Sequence, residues 1–190
     1  MAKSKSKQKS KTGLVFNIII IALAVLTVCT LFMPVLNRAW LTANEEISSV
    51  AIKGADIFSG TFASDTTKGL SDGAKIMYGL RIAEENSFMV FVMSWGYIFT
   101  VISSIVTLVF AVLNILGMRF KLANTVLGIA LVVLAIVTFI FAFVVASKST
   151  DLVTVAGYST GTKFTAAIAS YFMFATVIAG GLEVYKARQK

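Results

Sequence analysis

The chain has 190 residues, of which 57% are hydrophobic and 14% charged, with a mean hydropathy of +0.87 and a net charge of +8. A water-soluble domain carries about a quarter charged residues, so this composition excludes one and points to an integral membrane protein. One cysteine and no histidine exclude an intramolecular disulfide and a His/Cys metal site, and no cofactor is expected.

Residues 1–12, MAKSKSKQKSKT, alternate Lys with Ser or Gln and have nothing apolar to bury after Ala2. They read as a disordered basic tail at the membrane surface. Residues 13–36 form the first span. Its 24 residues exceed the apolar core of a signal peptide, and no small-x-small cleavage site closes it. Cys29 reads as a small buried hydrophobe, and Pro34 as the point where the helix stops or kinks.

Residues 37–87 form the one long polar region, expected to be a small, partly ordered extracytoplasmic cap. Arg38 and Trp40 suit an interface. The segment 47–53, ISSVAIK, alternates like a strand. Asp72 is placed to cap a short helix over Ala74–Glu85. The acids of this region have no spacing of a cation loop or a catalytic pair, so Glu84–Glu85 reads as a solvated helix turn.

Residues 88–116 are the second span. Gly96, Thr100, Ser103, Ser104, Thr107, Ala111 and Asn114 share one face, with Ile98, Val101, Ile102, Ile105, Leu108 and Val109 opposite. Only residues 117–121 separate it from the third span, so the two form an antiparallel hairpin. The third span, 122–147, is 26 residues without a charge, about 39 Å of helix against a hydrocarbon core of roughly 30 Å. Asn124, Gly128, Leu131, Ala135, Thr138, Ala142 and Ala146 line one stripe, and Ile129, Val133, Ile136, Val137, Ile140 and Val144 the other. The small stripes predict helix contact and the bulky ones lipid contact. Residues 148–163 read as a short outer loop, 164–182 as the fourth span and 183–190 as an inner tail, with Glu183 just past the span's end.

The charges orient this layout. With both termini inside, the inner segments hold ten bases against one acid and the outer segments seven bases against eight acids. This is the positive-inside asymmetry, and it predicts a multi-pass protein of the cell (plasma) membrane with both termini cytoplasmic. Bases at span ends answer to topology and anionic headgroups, so nucleic acid is not an expected partner.

The expectation is an all-α membrane protein, a four-transmembrane-helix bundle with an extracytoplasmic loop region between helices 1 and 2. Asn17, Asn114 and Asn124 fall in the cytoplasmic quarter of three spans and predict a polar interhelical cluster, with Asn114 bonded to Asn124 and Glu183 at the margin. The helix-packing stripe is Gly96, Thr100, Ser103 and Thr107 on span two, with Gly128, Ala135, Thr138 and Ala142 on span three.

No ionisable residue falls inside any span, which argues against an ion-coupled transporter acting alone. With no catalytic constellation, the chain reads as a non-enzymatic protein acting by protein–protein interaction, as accessory subunit, scaffold or surface-interaction protein. The partner is a membrane protein or a second copy. The alternative is an oligomeric channel or transporter component.

Four spans, internal termini, a first outer loop of about 50 residues and a short second one make the layout similar to claudin-like tetraspan proteins in topology. The loop has Trp40 but neither Gly-Leu-Trp nor cysteines, so the resemblance does not imply that family's disulfide-braced sheet.

Overall fold

The computed structural model describes residues 2–42, 46–58, 87–118, 120–147, 153–155 and 158–188. The chain is mostly helical, and among the described residues four helices are long and apolar enough to cross a membrane: Gly13–Phe32, Phe91–Ile115, Lys121–Ser147 and Ile168–Arg188. The short helix expected over Ala74–Glu85 lies outside the described residues, as does the Glu84–Glu85 pair.

In chain order, helix α1 covers Ala2–Cys29 and a 3-10 turn covers Thr30–Phe32. Strands β1 (Pro34–Thr42) and β2 (Glu46–Lys53) and the short helix α2 (Gly54–Phe58) follow. Next come the long helices α3 (Ser87–Ile115) and α4 (Lys121–Ser147). Strands β3 (Val153–Val155) and β4 (Tyr158–Ala166) precede α5 (Ile168–Tyr171) and α6 (Met173–Arg188).

Four expectations change. The architecture is not all-α: the four strands form one antiparallel sheet in the order β2-β1-β4-β3. The first span does not run to residue 36. Its helix tightens at Thr30 and gives way to a strand whose first residue is Pro34, a position where the missing N–H costs no ladder bond. The fourth span does not begin at 164, because β4 runs to Ala166 and helix starts at Ile168, continuing to Arg188. Within the expected outer loop 148–163, the described residues, 153–155 and 158–163, are strand. The basic tail is not disordered either: α1 begins at Ala2, propagated from the apolar span, which supplies the costly nucleus.

The chain divides into two compact units. One comprises Met1–Cys29, Phe99–Ile136 and Phe172–Lys190, and the other Thr30–Ile98 and Val137–Tyr171. The second contains the sheet. Strand β1 pairs with β2 from Pro34↔Lys53 to Leu41↔Glu46, with register shifts at both ends, and with β4 from Leu36↔Ala166 to Thr42↔Thr160. The first shift lets both Val35 and Leu36 be buried, and the Val35 carbonyl accepts bonds from Ala167 N at 3.0 Å and Ser170 Oγ at 2.7 Å. Those two bonds tie β1 to the start of α5.

Beside the sheet, Asp56 Oδ2 accepts from Lys53 N at 2.8 Å, the return half of a capping box, and starts α2. Gly54 N donates to the Met33 carbonyl at 3.1 Å. A Cβ on Gly54 would collide with the Tyr97 hydroxyl and sit 2.7 Å from the Thr30 carbonyl, so only glycine fits. Tyr97 and Thr30 are fully buried and share a hydroxyl–hydroxyl hydrogen bond of 2.9 Å.

In the first unit, α3 ends in a Schellman motif: Met118 N donates to Leu113 O at 3.0 Å and Gly117 N to Asn114 O at 3.2 Å. Gly117 takes the required left-handed conformation at φ 95°. Phe120 opens α4, its carbonyl accepting from Asn124 N, and its ring meets Phe110 edge-on at 5.3 Å.

Helices α4 and α6 cross at Gly128 and Gly180. A Cβ on either would lie 2.7 or 2.6 Å from the other's carbonyl oxygen. Gly181, one residue on, has no neighbour within 4 Å of a Cβ. Gly180→Ala should therefore destabilise the folded protein by about 1–3 kcal/mol, the range for overpacking. Gly181→Ala should be neutral or stabilising by about 0.5–1 kcal/mol, the helix-propensity gain. Thermal unfolding of the two variants in detergent checks the contrast, and equal melting temperatures would contradict the crossing.

Candidate functional site

The first unit is held together along its length by paired side chains on α1 and α6. Thr27 donates to the Leu23 carbonyl at 3.0 Å, leaving Thr176 as donor in the 2.8 Å bond between the two threonine hydroxyls. Two to three turns away, Phe16 and Tyr185 meet edge-on at 5.8 Å. Beside them Lys186 Nζ donates to Asn17 Oδ1 and, at 3.3 Å, to Glu183 Oε2. One antiparallel register serves all three contacts.

Lys186 is the centre of this polar group, and the sequence reading missed it. The structure brings Asn17 and Glu183 together through it, with Asn17 5% and Glu183 1% exposed. The expected bond between Asn114 and Asn124 is not made. Asn124 is buried and Asn114 half-buried, and Asn114 Nδ2 and Asn124 Oδ1 have no hydrogen-bond partner among the described residues. Glu183 Oε1 and Thr107 Oγ1 are likewise buried without one.

Glu183 also moves relative to the expected boundary. The sequence reading placed it beyond the fourth span and found no ionisable group within any span. Here both Glu183 and Lys186 lie within Ile168–Arg188, the fourth helix long and apolar enough to cross a membrane. An ion pair at such a position is costly to desolvate, and its persistence depends on further hydrogen bonds, of which Asn17 supplies one.

The proposed packing stripes are placed as follows. On α4, Gly128, Ala135, Thr138 and Ala142 are buried, as are Asn124 and Leu131, while Ile129, Val133, Ile136 and Ile140 are exposed. On α3, Gly96, Thr100 and Thr107 are buried and Ser103 is half-buried. Gly96 lies against Thr138, where a Cβ would be 2.9 Å from the threonine hydroxyl. Val101, placed on the bulky face by its spacing, is fully buried, as are Met93 and Tyr97, because the buried face of α3 is wider than one stripe of small residues. Ser104, also buried, spends its proton on the Thr100 carbonyl at 2.8 Å. Among the described residues no group of three His, Cys, Asp or Glu side chains is placed to hold a metal.

Comparison of the chain with protein-family models, with curated proteins and with solved structures finds no match in any of the three.

Removing one member of a buried pair strands the other's charge, at about 3–5 kcal/mol. Lys186→Met should lower stability by that order, while the double variant Glu183→Leu with Lys186→Met should recover most of the loss. Chemical unfolding of the three proteins in detergent reads this directly. A single variant as stable as the parent would show that Glu183 has no need of Lys186.

Proposed function

We propose that this chain is a non-enzymatic multi-pass protein of the plasma membrane, with both termini cytoplasmic, that acts by binding another protein. Accessory subunit, scaffold and claudin-like surface interaction are the forms this takes. The observation that carries the reading is the sheet. Strand β1 follows the first long helix and β4 precedes the last, and the two pair over seven register positions. The described strands between the helices thus supply a sheet with β1 and β4 at its centre. Exposed strand edges and sheet faces are common sites for a partner chain. The orientation is supported by the distribution of Lys and Arg.

A second reading, an oligomeric channel or transporter component, is favoured by the burial of Glu183, with Lys186 half-buried beside it, within a long apolar helix. Ionisable groups at such depth are functional candidates by default.

Affinity purification of the full chain from native membranes, without detergent, separates the readings. A stoichiometric protein partner identified by mass spectrometry supports the first. Ion flux in liposomes reconstituted with the pure protein, abolished in Glu183→Gln, supports the second and counts against the first. Orientation is tested on a Cys29→Ser background. Ser64→Cys should react with an impermeant maleimide added to intact cells and Ser4→Cys should not; the opposite pattern refutes internal termini.

A further inference from the structure

Within the first unit, four buried polar atoms have no hydrogen-bond partner among the described residues: Thr107 Oγ1, Asn114 Nδ2, Asn124 Oδ1 and Glu183 Oε1. They come from three helices, and the fold brings them to neighbouring levels. A Cβ on Gly128 would lie 3.1 Å from Glu183 Cβ, so α4 and α6 are in contact there. The two helices are antiparallel, so Asn124, one turn back along α4, is level with Glu183 and Val184 on α6. The hairpin through Gly117 sets Asn124, one turn into α4, level with Ala111, one turn before the end of α3. Ala111 is fully buried and small, with Thr107 about a turn to one side and Asn114 about a turn to the other.

The chemistry of these atoms selects what they bind. Glu183 Oε1 and Asn124 Oδ1 accept, Asn114 Nδ2 donates, and the Thr107 hydroxyl does either. A metal cation would satisfy the oxygens but would face the Asn114 N–H group and the Lys186 ammonium, which already neutralises Glu183 through Oε2 at 3.3 Å. A neutral molecule with two donors and a free lone pair matches the three fixed atoms. Buried water makes about three hydrogen bonds to groups of this kind.

We propose that Glu183, Asn124 and Asn114 form an internal hydration site that binds water, continued by Thr107 into a short file between α3, α4 and α6. The water would couple α3 and α4 to the Glu183–Lys186 pair of α6, whose Lys186 bonds Asn17 on α1. This inference depends on neither functional reading above.

The test is a water-to-amide proton correlation by solid-state NMR on the full chain in lipid bilayers, with the Asn114 side-chain resonance assigned by its loss in Asn114→Leu. The expected result is a through-space cross-peak between water and the Asn114 side-chain amide, kept in Asn124→Ser, which retains an acceptor oxygen, and lost in Asn124→Leu, which fills the space. Absence of the peak in the parent protein overturns the proposal, as does its persistence in Asn124→Leu. Should Asn124→Leu fail to fold, the parent and Asn124→Ser spectra decide. A direct contact from the Asn124 amide to the Glu183 carboxyl carbon, with no water peak at Asn114, would show a dry cluster and overturn the site.

Discussion

The close approach of Gly128 to Gly180 is the contact on which much of the helical unit depends. Two backbones meet there with each carbonyl under 3 Å from where the other residue's Cβ would stand. In lipid there is no hydrophobic force between helices, and association rests on close packing, interhelical hydrogen bonds and lipid entropy. Glycine at both sides of a crossing allows the most contact per turn. It also places Glu183, three residues along α6, against α4. The polar group owes its burial to that crossing, since a larger residue at either glycine would hold the carboxylate away from α4.

A buried carboxylate is tolerable only with partners. Lys186 answers Glu183 from the next turn of the same helix, and Asn17 answers Lys186 from α1. Lys186 therefore does two things: it neutralises a buried carboxylate and, through Asn17, it fixes the register of α1 against α6, a register repeated at Thr27–Thr176. Neutralisation does not use every lone pair. The second carboxylate oxygen and the amides of α3 and α4 retain hydrogen-bonding capacity that the described residues do not consume.

The sheet unit follows a different logic. There the backbone supplies the cohesion, through two ladders on either side of β1, and the side-chain work concentrates where strand meets helix. Val35 turns its carbonyl to α5, and Gly54 makes room for the Tyr97 hydroxyl that bonds Thr30. No disulfide braces this sheet. The chain's one cysteine, Cys29, ends α1. The ordering that cysteines provide in small extracellular sheets comes here from pairing over nine-residue strands and from burial of Val35, Leu36, Ile52, Ile57 and Phe164.

By itself the sequence determined the number of long apolar helices, the hairpin between α3 and α4, and the inward face of α4 from Asn124 to Ala142. Those follow from run length, a five-residue connection and a 3.6-residue period, all of which are local. The sheet was half legible: 47–53 alternates, and the Thr-rich segment from 158 with Gly157 before it carries the marks of a hairpin strand that went unread beside a stronger apolar pattern. The tail of α6 is not legible locally, because Glu183 and Lys186 look like an aqueous end when read one residue at a time. Only the tertiary structure decided that Glu183 is buried, because burial is made tolerable by its contact with Lys186, by the bond from Lys186 to Asn17 and by the glycine crossing. The bond to Asn17 joins residues 169 positions apart and leaves no local period to read.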